Sequence, residues 1–340
     1  MTIQDGVHPG APGADNHCRT FKLVDAILFS ESHQPWEVLN EDYTTDPPVP
    51  SMMCSHELKF LHYLARTQSD GTGAIVDLGP LVGSSTYALA SGIACGNRAG
   101  TIYSYDLWRF CPTFEPFVAN AKLRVGDDIL PYFQANIERF RDRIVAQKGD
   151  LGRKRWNDGP IRILFVDAAK SPRLMHHIAN EFFPHLLPGA LVVHQDWVSA
   201  EDPWIHIAMG ELAEYFDVMD SPEGGTLCFR VKKQVPRHAL PANFMKDSNA
   251  PQLLAAARSA LHSWHGLCVW LAEARYYVLV GDIPKARYIV TEVQRHSLFN
   301  PKQIGFDLAL VERAIANREL QWYSRLRRKI AELIGSAGWR

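Results

Sequence analysis

No stretch of 18 apolar residues occurs in the 340-residue chain. The nearest to one, GLCVWLAEARYYVLVG, is interrupted by Glu273 and Arg275, so no transmembrane helix is expected. The opening MTIQDGVHPG has neither a basic start nor an apolar run, so no secretory signal is expected and a cytoplasmic location is. Cysteine is sparse: Cys18, Cys54, Cys95, Cys111, Cys228 and Cys268 are scattered without a C-x-x-C pair. That pattern excludes a disulfide scaffold and the usual zinc sites. Net charge is also lacking. The 36 Lys and Arg against 37 Asp and Glu leave -1, which sets up no field toward nucleic acid or an anionic membrane. The G-x-G-x-x-G dinucleotide fingerprint is missing as well.

What is present is an ordinary globular composition, 46% hydrophobic and 21% charged, able to bury a large core. The length suits a catalytic domain of about 200 to 250 residues with extensions. Residues 1–54 read as an arm, partly disordered, with Gly, Pro, Asp and Asn crowding its first 20 positions and a Pro-rich TTDPPVP near its end. From 55 to 233 strand-like runs alternate with helical ones. SHELKFLHYLARTQ, SSTYALASGIAC, PRLMHHIANEFFPHL and DPWIHIAMGELAEYF have helical spacing, and a helical tract is expected near 114–142. AIVDLG, TIYSYD, RIVAQKGD, IRILFVDA and ALVVHQD read as strands, and EYFDVMD and TLCFRVKK flank the turn SPEGG as a hairpin. This alternation predicts an α/β fold: a doubly wound Rossmann-like sheet of seven strands with a C-terminal antiparallel hairpin strand. Residues 234–250 read as a Pro-containing linker and 251–340 as an all-helical extension. Within the extension, LAEARYYVLVGDIPKARYIVTEVQR resembles one tetratricopeptide-type helical hairpin, which must pack on the sheet or on a second subunit.

Ligands of such sheets sit beyond the carboxyl ends of strands, so the residues just after each strand are the candidates. IVDLGPLVGSST places Asp77, Gly79 and Gly83 as D-x-G-x-x-x-G, followed by Ser84 at the start of a helix. Glycines admit a tight turn and a close ligand, and the helix start favours negative charge. An acid two residues before the first glycine suits a ligand with a cationic amine better than a pyrophosphate. Asp106, at the end of the second strand, stands where an acid takes ribose hydroxyls. Asp150, after the third strand, could accept from an adenine amino group.

The series IVDLGPLVGSST, YSYDLW, KGD, ILFVDAAK and LLPGALVVHQDW, over about residues 55–233, resembles class I S-adenosylmethionine-dependent methyltransferases, and among them the O-methyltransferase branch of catechol, caffeoyl-CoA and macrocin-type enzymes. The resemblance implies S-adenosylmethionine as cofactor, with Asp77 and Gly79 at its methionine end, Asp106 at the ribose and Asp150 at the adenine. It also implies a divalent cation such as magnesium on Asp167 and Asp196, with Lys170 helping to deprotonate a small-molecule hydroxyl. The chain departs from the pattern at three places: Trp197 stands where an Asn is expected, and Ala169 and Gln195 stand where the macrocin-like branch has acids.

His194 offers a metal-free base, since strand alternation puts it on one face with Asp196 and turns Gln195 away. The catalytic candidates are therefore Lys170, His194 and Asp196, with Asp167 on the cofactor and metal side. Trp108, Trp197 and Trp204 follow strand ends and could wall the acceptor pocket. Partners expected are a small-molecule acceptor and a second copy docked through the arm or the C-terminal helices. Two other classes stay open on sequence: a cofactor-binding or assembly module without catalysis, and a dinucleotide-dependent oxidoreductase.

Overall fold

The computed structural model describes residues 49–118, 122–220, 225–259, 261 and 264–337, with side chains in the last helix as far as 321. The arm expected over 1–54 lies outside these residues apart from 49–54, as do most of the SPEGG turn and a short piece of the tract near 114–142.

Helix α1 (Ser55–Gln68) leads into β1 (Ala74–Leu78), α2 (Ser84–Cys95), β2 (Ile102–Asp106), α3 (Leu130–Ile137), β3 (Ile144–Lys148), β4 (Ile161–Val166), α4 (Pro172–Glu181), β5 (Leu186–His194), α5 (Pro203–Glu211), β6 (Phe216–Asp220) and β7 (Leu227–Val231). The strands form one sheet in the order β3-β2-β1-β4-β5-β7-β6. The first five run parallel, and β7 pairs antiparallel with both β5 and β6. The order turns back between β1 and β4, so the crevice that a doubly wound sheet offers a ligand opens there. This is the doubly wound Rossmann-like sheet expected, with an antiparallel last pair.

Alternation assigns the two faces. Val76 and Leu78 of β1 enter the larger core, which continues through α4, α5 and the C-terminal helices, whereas Ile75 joins Ile163 and Phe165 under α1 and α2. Asp77 therefore lies on the α2 side. The helical tract near 114–142 is broken instead. Pro112 and Pro116 lie in a 3-10 turn over Pro112–Phe117, Gly126 takes a left-handed φ of 90°, and among the described residues of the tract only Leu130–Ile137 is α-helical. Proline removes helical donors and glycine takes the turn. Strand β5 ends at His194, two residues earlier than read, so the side-chain alternation does not carry on to Gln195 and Asp196.

The extension comprises α6 (Ala250–Ser259), α7 (Trp264–Val280), α8 (Ile283–Arg295) and α9 (Pro301–Ala337). Gly210 of α5 allows α6 to approach: a Cβ there would stand 3.0 Å from the Leu253 side chain. Between α7 and α8, Gly281 turns with φ 93° and Asp282 caps α8 by accepting from the Lys285 N–H at 3.0 Å. The segment 234–250 is stitched to the sheet layer. Val235, Leu240 and Phe244 are buried in the main core, and the Asn180 amide donates to the Leu240 carbonyl at 3.2 Å. No helix among the described residues is long and apolar enough to cross a membrane.

Candidate active site

A cavity of about 570 Å³ opens at the carboxyl ends of β1, β2, β4 and β5, within the range of roughly 300–1,000 Å³ common for small-molecule sites. It is lined on one side by Gly79, Ser84, Asp106, Gly149 and Asp150, and on the other by Asp167, Lys170, Gln195 and Asp196. Met52 and Met53, the end of the expected arm, lie along its edge. These are the candidates that the fold brings together. Asp77, Gly83 and His194 are not in the lining.

On the first side the acids hold backbone. Asp106 Oδ2 accepts from the Leu81 N–H at 3.1 Å and Oδ1 from the Trp108 N–H at 2.6 Å, so one carboxylate ties the β1 turn to the β2 turn. Both residues have left-handed φ, 50° for Leu81 and 45° for Trp108, which costs on the order of 1–2 kcal/mol each. Trp108 adds a bond from its indole N–H to the Leu81 carbonyl at 2.8 Å. Burial raises the Asp106 pKa, opposed by these N–H donors. Asp150 accepts from the Gly152 N–H at 2.9 Å and so caps the turn after β3.

Asp77 has a different position from the one expected. It is wholly buried under α2, where the Ser85 hydroxyl (2.9 Å) and the Thr86 hydroxyl donate to its Oδ2. Its Oδ1 is buried with no hydrogen bond. Burial raises its pKa to about 7 against the pull of those hydroxyls. Asp77 thus fixes the start of α2 and does not face the cavity, because alternation along β1 turns it beneath the helix. Gly83 also serves the turn. Its φ is 103°, and a Cβ there would press on Ile137 at 3.0 Å and Phe133 at 3.1 Å. Gly79 joins the two sides: with φ 96°, an added Cβ would come within 2.7 Å of the Asp167 carbonyl oxygen.

On the second side the acids hold a charge. Lys170 Nζ donates to Asp167 Oδ1 at 3.1 Å and to Asp196 Oδ2 at 2.5 Å. With its amide turned to donate, Gln195 bonds Asp196 Oδ1 at 2.9 Å and Asp167 Oδ1 at 3.3 Å. Burial opposes the charge on Lys170, but Asp167, Asp196 and Asp202 overcome it and hold the ammonium above the ordinary lysine range. Burial raises Asp167, with Lys170 pulling the other way and Asp196 adding to the rise. Asp202, which the sequence showed only as a helix start, is 4% exposed. Burial raises it to about 7, Asp196 adds to this, and Lys170 and Arg275 oppose it. Two carboxyls thus hold one ammonium, and a third acts on it without touching it.

Two expectations change here. His194 is wholly buried, neither ring nitrogen has a hydrogen bond, and its ring packs edge-on to Phe229 at 6.1 Å. Burial, with His206 nearby, lowers its pKa to about 3, so it is a core residue and no base. The partnership with Asp196 fails because β5 ends between them. The second change concerns the divalent cation. The point between Asp167 and Asp196 belongs to the Lys170 ammonium, Gln195 supplies an amide rather than a carboxylate, and Trp197 is buried against His206 and Phe229. Among the described residues no group of three or more His, Cys, Asp or Glu could hold a metal. A dication would have to displace the Lys170 ammonium from between the two carboxylates and complete its shell with water, so the residues as arranged do not fit magnesium.

The tryptophans read as pocket walls are buried supports. The indole N–H of Trp204 donates to the Ala169 carbonyl at 2.5 Å, in the turn between Asp167 and Lys170, as that of Trp108 does to Leu81. The apolar lining comes instead from Leu81, Tyr105, Leu107, Phe114, Leu151 and Leu174, with Arg109 at the side. Sequence reasoning passed over these because their spacing carries no motif.

No family model matches the chain, and no curated protein matches it. Solved structures do resemble it. The O-methyltransferase NovP aligns with a TM-score of 0.39 and 11% identity, over 54% of this chain and 82% of that one. The O-methyltransferase TomG from Streptomyces achromogenes, involved in tomaymycin synthesis and solved in complex with SAM, gives 0.39 and 17%, over 62% and 94%. An rRNA methylase from Streptococcus thermophilus gives 0.38 and 12%, over 54% and 100%. The fold assignment stands on the strand order and directions described above.

Proposed function

We propose that the protein is an S-adenosylmethionine-dependent methyltransferase that methylates a hydroxyl of a small molecule without a divalent cation. The observation that carries this reading is the division of one cavity. Asp106, Gly79 and Ser84 line a half suited to a nucleoside, and the Asp167–Lys170–Asp196 cluster lines the half beside it. S-adenosylmethionine supplies a methyl group on a cationic sulfonium, open to in-line displacement by an acceptor oxygen. Asp106 keeps carboxylate lone pairs free of its two backbone donors for ribose hydroxyls, and Ser84 and Ser85 present the start of α2.

Lys170 is held protonated and is therefore not the proton acceptor; its ammonium orients the two carboxylates and the acceptor oxygen. The surplus negative charge makes the Asp167–Asp196 pair the site that receives the hydroxyl proton as the C–O bond forms and the bond pair of the breaking C–S bond passes to sulfur. Alignment of the three atoms supplies much of the rate, and the cluster's charge favours a cationic cofactor over its neutral product.

The test is calorimetric titration with S-adenosylmethionine in EDTA, repeated with Asp106→Asn. Micromolar binding that survives EDTA and weakens at least tenfold in the variant is expected. An absence of binding with or without magnesium removes the methyltransferase reading, and binding that requires magnesium removes the metal-free one.

A further inference from the structure

A second cavity, about 460 Å³, lies between α7, α9 and the loop that follows Asp196. Its floor is aliphatic, from Val278, Val311 and Ala314, and its rim carries Arg275, Arg313 and Arg318 with the amides of Asn317 and Gln321. The helix spacing explains the division of α9. Residues 310, 313, 314, 317, 318 and 321 recur at intervals of three and four and share one face. Glu312 and Glu319 turn toward α8 instead, where Arg287 binds Glu319 at 2.7 Å and Gln294 binds Glu312 at 3.2 Å. These two acids of α9 are thus spent on α8, while Arg313 and Arg318 face the groove.

The charge balance selects a ligand class. Glu201 stands at the rim and Asp202, buried behind it, feels Arg275. Arg313 and Arg318 have no ion pair among the described residues. Two guanidiniums without an ion pair among the described residues, over an aliphatic floor and with one carboxylate at the rim, match a dianion carried on an apolar body, and guanidinium forks suit phosphate oxygens. We propose that this groove is a second ligand site, for a phosphomonoester with an apolar substituent, separate from the cavity beside Asp106. Its wall reaches the catalytic loop: Ala200 lies in the groove, and its N–H donates to Asp307 Oδ1 of α9 at 2.8 Å.

Phenyl phosphate is the probe, titrated calorimetrically into the full chain at low ionic strength, with benzoate as the monoanionic control on the same ring. Saturable binding of phenyl phosphate is expected, at least tenfold tighter than benzoate. The double variant Arg313→Gln, Arg318→Gln, at one exposed and one half-buried residue outside the catalytic cluster, should weaken it tenfold or more at unchanged melting temperature. No saturable heat overturns the proposal. So does equal affinity for benzoate, or binding undiminished in the double variant. The outcome does not depend on whether S-adenosylmethionine binds the first cavity.

Discussion

The two sides of the main cavity use the same residue type in opposite ways. At the ends of β1 and β2, Asp77 and Asp106 accept from hydroxyls and backbone N–H groups, and through these bonds they fix two left-handed turns and a helix start. At the ends of β4 and β5, Asp167 and Asp196 are bonded to a lysine ammonium and an amide. The first arrangement has fixed dipoles and a fixed shape. The second holds an ammonium between carboxylates, the arrangement that the proposed proton transfer would use. An acid after a parallel strand is therefore a place for function, and its partners decide which function it has.

The largest effect should come from removing the charge that distinguishes the second side. Lys170→Met is expected to lower kcat by about 100-fold or more, as loss of a preorganised electrostatic group does, while the Kd for S-adenosylmethionine changes less than about threefold. Steady-state kinetics beside calorimetry would show it. A matched loss of cofactor binding would mean that the two sides do not divide the work.

A smaller effect is expected where the sides meet. Gly79→Ala must place a Cβ against the Asp167 carbonyl in a left-handed conformation. The cost is on the order of 2 kcal/mol or more, read as a lower melting temperature. A variant as stable as the parent would show that the two turns are not in contact.

The smallest effect concerns buried groups behind each side, and its sign separates them. His194 has a folded pKa of about 3, below its unfolded value. Its neutral burial contributes stability above about pH 6.5, which is lost as pH falls toward 3. Asp77 has a folded pKa of about 7, above its unfolded value. Its contribution is present below about pH 4 and is lost as pH rises through 7. His194→Leu should therefore flatten the acid slope between about pH 4 and 6 by up to about 1.4 kcal/mol per pH unit, one proton's worth, in urea melts. An unchanged slope would mean that His194 is protonated inside the folded protein.

Much of this was legible in the chain. The parallel strands, the hairpin at the end of the sheet and the helical extension follow from apolar periodicity, which local sequence carries. The positions after β1 to β5 were legible as a set, because topology sends all strand ends of a parallel sheet to one edge. Less legible was which of those residues face the cavity. Asp77 and His194 both carried a chemical signal, yet both side chains point into packed layers.

The sequence by itself determined the order of elements, the sheet class and the clustering of Asp106, Asp150, Asp167, Lys170 and Asp196 around one cleft. Only the tertiary structure decided what each acid is bonded to. Strand β5 stops at His194 and frees Gln195 and Asp196 from alternation; α2 covers Asp77; and Lys170 reaches across 26 residues of sequence to occupy the place between two carboxylates. Periodicity is a property of neighbours in the chain, whereas the partner of a charge is set by whichever group the fold brings within about 3 Å.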